Sequence, residues 1–89
     1  MTQMDLFSTE ELLKERATTH GKFSDVSRIA QNTKALWHSS PNWAKLTNQQ
    51  AEVLDMCASK VGRILSGDPD YADHWVDLSG YPMLALKEF

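Results

Sequence analysis

The stretch Lys60–Tyr81, KVGRILSGDPDYADHWVDLSGY, constrains this chain more than any other. It reads as the end of one helix, a tight turn and the start of the next. Gly67 suits the left-handed position just past a helix end. Asp68 offers an N-cap, and Pro69 suits the first helical position that follows. Two helices joined by about three residues, Ser66 to Asp68, run antiparallel and pack on each other. Lys60 and Arg63 share one face of the first helix, and Asp73 and Asp77 share one face of the second. The corner is therefore either a structural clasp or a site.

The chain has 89 residues, enough for one small domain spanning residues 1–89. Its hydrophobic content of 42% allows only a modest core, and chains of this size gain stability by oligomerising. A net charge of −3 argues against broad electrostatic binding to DNA or to an anionic membrane. It leaves room for a local Lys/Arg pocket that binds a small anion. The single Cys57 falls on an apolar helical stripe and reads as an inert core thiol. No secretory leader, long apolar run or metal-type Cys/His spacing is visible, so the expectation is a cytosolic protein without a bound metal.

Along the chain, Met1–Phe7 reads as an extended arm. Ser8-Thr9-Glu10-Glu11 forms a capping box, which predicts a short helix from Ser8 to about Ala17. Phe7 is placed to staple onto Leu12. The run Thr18 to Phe23 breaks this helix, and Ser24 caps a second. There Val26, Ile29, Ala30, Thr33, Leu36 and Trp37 recur at helical spacing. Lys22 sits at the positive end of that helix, unfavourable for the helix but useful to an anion. A loop follows, His38 to Trp43, with Trp43 packing back as a lid on the core. Thr47-Asn48-Gln49-Gln50 is a second capping box and opens the longest helix, to about Ser66. Its apolar stripe holds Ala51, Leu54, Cys57 or Ala58, Val61, Ile64 and Leu65. Gly62 within it allows a close approach. The last helix starts near Pro69, and Pro82 kinks or ends it. Nothing alternates with period two, so the fold class is all-α: a small antiparallel helical hairpin or bundle with a short N-terminal helix.

Three constellations carry possible chemistry. Glu52 with Asp55, and Asp73 with Asp77, form two carboxylate pairs of the kind that hold Mg²⁺. MazG-like nucleotide pyrophosphohydrolases are built this way, which makes metal-dependent hydrolysis the alternative function. This chain lacks their E-E-x-x-E segment, and Asp55 and Asp73 fall at distant ends of their helices. Lys60 and Arg63 either bridge to Asp73 or Asp77 or bind phosphate; spacing admits both. Thr18 to Phe23, with the aromatic Phe7, supplies hydroxyls, a lysine and rings suited to clamping a nucleotide.

Taken in order, T-H-G-x-F (Thr19 to Phe23), P-N-W (Pro41 to Trp43), K-V-G-R-I-L-S-G (Lys60 to Gly67) and D-H-W-x-D-L-x-G-Y (Asp73 to Tyr81) resemble small phage proteins of the anti-CBASS cyclic-oligonucleotide sponge family. The resemblance covers about residues 16 to 86. It implies a helical protomer that assembles as a homohexamer, with no catalysis and no cofactor. It implies sequestration of the cyclic nucleotides that activate an antiphage defence, in the host cytoplasm. Cyclic dinucleotides would bind between paired protomers at Phe7 and Lys22, with Thr19 and His20 nearby. Cyclic trinucleotides would bind where three protomers meet, at Arg63, Ser66 and Gly67. The family's aromatic is commonly tyrosine, so Phe7 would keep the stacking and lose a hydroxyl.

Overall fold

The computed structural model describes residues 3–89, with side chains from Thr9 onward; Met1, Thr2 and the Phe7 side chain lie outside the described residues. Among the described residues the fold is all-α, with four helices and no strand. The helices are α1 (Gln3–His20), α2 (Phe23–His38), α3 (Asn48–Ser66) and α4 (Ala72–Leu86), and a short 3₁₀ turn spans Trp43–Lys45. No described helix is long and apolar enough to cross a membrane.

Local chemistry explains most boundaries and corrects several expectations. The Thr47 box is present in both directions. Thr47 Oγ1 accepts from the Gln50 amide at 3.1 Å, and Gln50 Oε1 accepts from the Thr47 amide at 3.0 Å. The Ser8 box does not start a helix. α1 begins at Gln3 and runs for 18 residues, so the N-terminal helix is neither short nor preceded by an arm reaching to Phe7. No Gly or Pro stands between Gln3 and His20 to stop it. α2 is capped at Lys22 and not at Ser24, and the Lys22 carbonyl accepts from Asp25 and Val26. The left-handed glycine is Gly21 (φ 84°), in the two-residue link between α1 and α2; Gly67 has φ −108°.

The α3–α4 link is five residues, Gly67 to Tyr71, and α4 starts at Ala72 rather than at Pro69. Asp68 is the reason. Its Oδ1 accepts from the Asp70 amide at 2.9 Å, and its carbonyl accepts from the Tyr71 amide at 3.1 Å. The segment closes as an Asx turn before a helix can form. Pro82 does not end α4, which continues to Leu86.

The core lies on the seam between α2 and α3. Val26 and Ala30 from α2 meet Val53, Ala58 and Ile64 from α3. Gly62 permits the approach: a Cβ there would stand 2.9 Å from the Val26 carbonyl oxygen. Leu36, Leu54 and Leu65, expected in the buried stripes, are exposed. They lie off a seam this narrow. α4 packs on α3, whereas α1 joins the rest chiefly through its last turn; its residues from Thr9 to Thr18 are exposed.

That junction is tight. A Cβ on Gly67 would collide with the Thr19 carbonyl oxygen, whereas one on Gly80, in mid-α4, would meet nothing. Gly67→Ala is expected to destabilise the protein by about 1–3 kcal/mol through overpacking. Gly80→Ala is expected to stabilise it by about 0.5–1 kcal/mol through helix propensity. Thermal melts of the two variants check the opposite signs.

Candidate functional site

Three helices each present one stripe to a shared groove of about 600 Å³. On α1 the stripe is Leu13, Arg16, Ala17 and His20; on α3 it is Ser59 and Arg63. On α2 it continues the core stripe outward, from Val26 and Ala30 to Lys34. Lys22 and Phe23 stand where α2 begins, and the Phe23 ring is 82% exposed.

The groove's charge sets it apart from the rest of the molecule. Arg16, Lys22, Lys34 and Arg63 line it, and among the described residues no Asp or Glu does. None of the four makes a side-chain hydrogen bond or ion pair among the described residues. In a chain with more acids than bases, such a cluster is a local reversal of field, suited to an anion. Leu13, Ala17, Phe23 and Val26 give the same groove an apolar wall.

His20 stands among these cations. Its Nδ1 lies 2.7 Å from Thr19 Oγ1. Burial lowers its pKa first, and His74, Arg16, Arg63 and Lys60 push it down further. At neutral pH the imidazole is uncharged, able to donate or accept a hydrogen bond.

Of the residues singled out in the sequence, Lys22, His20 and Arg63 come together in this one groove. Thr19 does not line it. Its hydroxyl serves His20 and the Arg16 carbonyl, and its own carbonyl accepts from His74 Nε2 at 2.8 Å and from the Asp68 amide at 3.0 Å. Ser66 and Gly67 pack under the α1–α2 link and do not line the groove; Ser66 Oγ is buried without a hydrogen-bond partner among the described residues. Arg63 also lines a second cavity of about 190 Å³, with Lys34, Glu52, Asp55 and Tyr81. Arg16, Lys34 and His74 went unnoticed in the sequence. The signal for Lys34 was present, one turn beyond Ala30 on the same stripe.

The clasp across α3 and α4 is formed by Lys60, whose Nζ donates to Asp77 Oδ2 at 2.9 Å. Lys60 is only 4% exposed, while Asp77 is about half exposed. The Lys60 hydrogen bond, and then its charge, hold the Asp77 carboxyl below its ordinary pKa. Asp73 instead faces Tyr71, where its charge raises the phenol's pKa. Asp55 is 2.8 Å from His38 Nε2. Among the described residues no three His, Cys, Asp or Glu side chains gather as metal donors, so Glu52, Asp55, Asp73 and Asp77 do not converge. Cys57 is partly buried, and burial raises its pKa, which keeps it a thiol.

Comparison of the chain with protein-family models, with curated proteins and with solved structures finds no match.

The asymmetry of the clasp sets an expected order of stability. Asp77→Ala leaves an ammonium buried and unpaired, whereas Lys60→Met leaves a carboxylate half in water. Asp77→Ala is expected to melt at the lower temperature. Because the folded Asp77 pKa lies below its unfolded value, its contribution is complete above the ordinary carboxylate range. It is lost as pH falls through the folded value. Melts between neutral and acidic pH should show this loss in the native sequence and a smaller one in Asp77→Asn.

Proposed function

We propose that the chain is a non-catalytic binder of cyclic oligonucleotides, which sequesters these messengers in the host cytoplasm and suppresses CBASS signalling. One observation carries the reading. Among the described residues, four cations without an ion pair line a groove that holds no acid and has an apolar wall, in a chain of net charge −3. A cyclic oligonucleotide offers the complementary features: several phosphates on a compact ring and flat base faces. Its phosphates pair with Lys22, Arg16 and Arg63, and its bases lie on Phe23 and Leu13. A groove of this size falls in the range of small-molecule sites. The resemblance to the sponge family adds Phe7 to the dinucleotide contacts and assigns Arg63 to the trinucleotide.

The working form is a homo-oligomer, six chains, each an antiparallel α3–α4 hairpin with α1 and α2 alongside. Trp75, Val76, Met83, Leu84 and Leu86 leave a broad apolar surface on α4 that a monomer would expose to water. Hydrolysis is the less supported reading, since Asp55 and Asp77 are engaged by His38 and Lys60.

Two measurements test this proposal. The protein is incubated with cyclic dinucleotides, cyclic trinucleotides and deoxynucleoside triphosphates, then denatured, and the small molecules are identified. Intact cyclic ligand is expected; monophosphate product would replace the binder with a hydrolase. Calorimetric titration of Lys22→Ala should show cyclic dinucleotide affinity weakened by about ten- to a hundredfold, the loss of one charge-assisted contact. Arg16→Ala should weaken it by about tenfold without lowering the melting temperature, since no ion pair is broken.

A further inference from the structure

The segment Asp73-His74-Trp75-Val76-Asp77 contributes Asp77 to the clasp, but the groove uses none of it. Within it His74 is the largest side chain shut off from solvent among the described residues, at 1% exposure. We infer that His74 is a positioning residue for the anion groove: through the Thr19 carbonyl it fixes the end of α1, and with it His20 and Lys22. The structural part stands on geometry alone; its consequence for affinity rests on the binding function proposed above.

The Thr19 carbonyl belongs to the last turn of α1, where carbonyls lack helical partners. A carbonyl only accepts, so His74 Nε2, 2.8 Å away, carries the proton. The second donor is the Asp68 amide at 3.0 Å, so residues from α4 and from the α3–α4 link converge on one oxygen. The imidazole also meets the His20 ring edge-on at 4.7 Å and the Tyr71 ring at 4.9 Å. It therefore both holds the backbone of residue 19 and supports the side chain of residue 20.

Only His20 and Gly21 separate Thr19 from Lys22, and Gly21 makes the turn between them. Gly21 has no slack: a Cβ there would sit 2.6 Å from Ser66 Cβ. Displacing the Thr19 carbonyl thus moves Lys22 at the groove edge, and moves Arg16 one turn earlier on α1. His74 itself does not line the groove, so it acts through Thr19 and not on the ligand.

Two variants separate the hydrogen bond from the bulk of the ring. His74→Phe keeps an aromatic ring and removes the donor. His74→Gln keeps an N–H group with similar reach. Hydrogen exchange of the ligand-free proteins reads the amides of Gly21 and Asp68 against those of the α2–α3 core, and calorimetry reads cyclic di-AMP affinity. His74→Phe is expected to speed exchange at Gly21 and Asp68 with core amides unchanged. It should also weaken cyclic di-AMP by about three- to tenfold, the scale of one net hydrogen bond. His74→Gln is expected to restore both. Unchanged exchange at Gly21 and Asp68 in His74→Phe overturns the inference, as does equal loss in both variants or loss of core protection alongside. If the native protein does not bind cyclic di-AMP, binding of that ligand fails while the exchange comparison still decides the role of His74.

Discussion

One carbonyl oxygen, that of Thr19, ties three parts of the molecule together. It ends α1, it accepts from the buried His74 of α4, and it accepts from Asp68 in the link that follows α3. The α2–α3 seam supplies the packing, but that seam alone would leave α1 without a fixed direction. Buried carbonyls are costly when unpaired, so this oxygen has few alternative arrangements. Two glycines make the geometry possible by letting the α1–α2 link and the α3–α4 link touch backbone to backbone.

Charge is organised on the same plan. The groove is positive because no Asp or Glu among the described residues lines it, and not because the chain is basic. Two acids of α3 and α4 are engaged elsewhere, Asp77 by Lys60 and Asp55 by His38, while Glu52 lines the second cavity beside Lys34 and Arg63. Lys60 is spent on the clasp, which leaves Arg63, one turn further along α3, free of any ion pair among the described residues. Two cations on one helix face therefore differ: Lys60 is paired, and Arg63 is unpaired among the described residues. Burial first, and then His74, Arg16, Arg63 and Lys60, lower the His20 pKa.

Features set by a few neighbouring residues were legible in the sequence. The Thr47–Gln50 box, the end of α3 near Ser66 and the close approach at Gly62 all follow from local chemistry. So did the attraction between Lys60 and the carboxylates of α4. Features set by contacts across the chain were not legible. Gly67 does cap α3, its amide donating to the Arg63 carbonyl, but without the left-handed φ expected; its contact with Thr19, some 48 positions away in sequence, could not be read from its neighbours. Asp68 looked like an N-cap, but its amide is claimed by Thr19 and its carboxylate by its own turn. The Ser8 box was a permitted start that a longer helix ignored. For the site, Lys22, His20 and Arg63 were found as residue types, whereas their meeting in one groove depends on the path the chain takes at Gly21. Arg16 was invisible for the same reason, whereas Lys34 continued the Ala30 stripe and was overlooked.

The way α1 is hung has a mechanical consequence. Held at its last turn, the helix is a lever with its pivot beside Gly21, and its inner face is one wall of the groove. Leu13 stands about 12 Å from that pivot, at 1.5 Å per residue. A swing of about 10° therefore carries Leu13 roughly 2 Å, about the thickness difference between a tight and a loose contact. The placement of Leu13 and Arg16 on the groove wall is thus set at the Thr19–Gly21 junction, where small differences in angle are amplified along the rod.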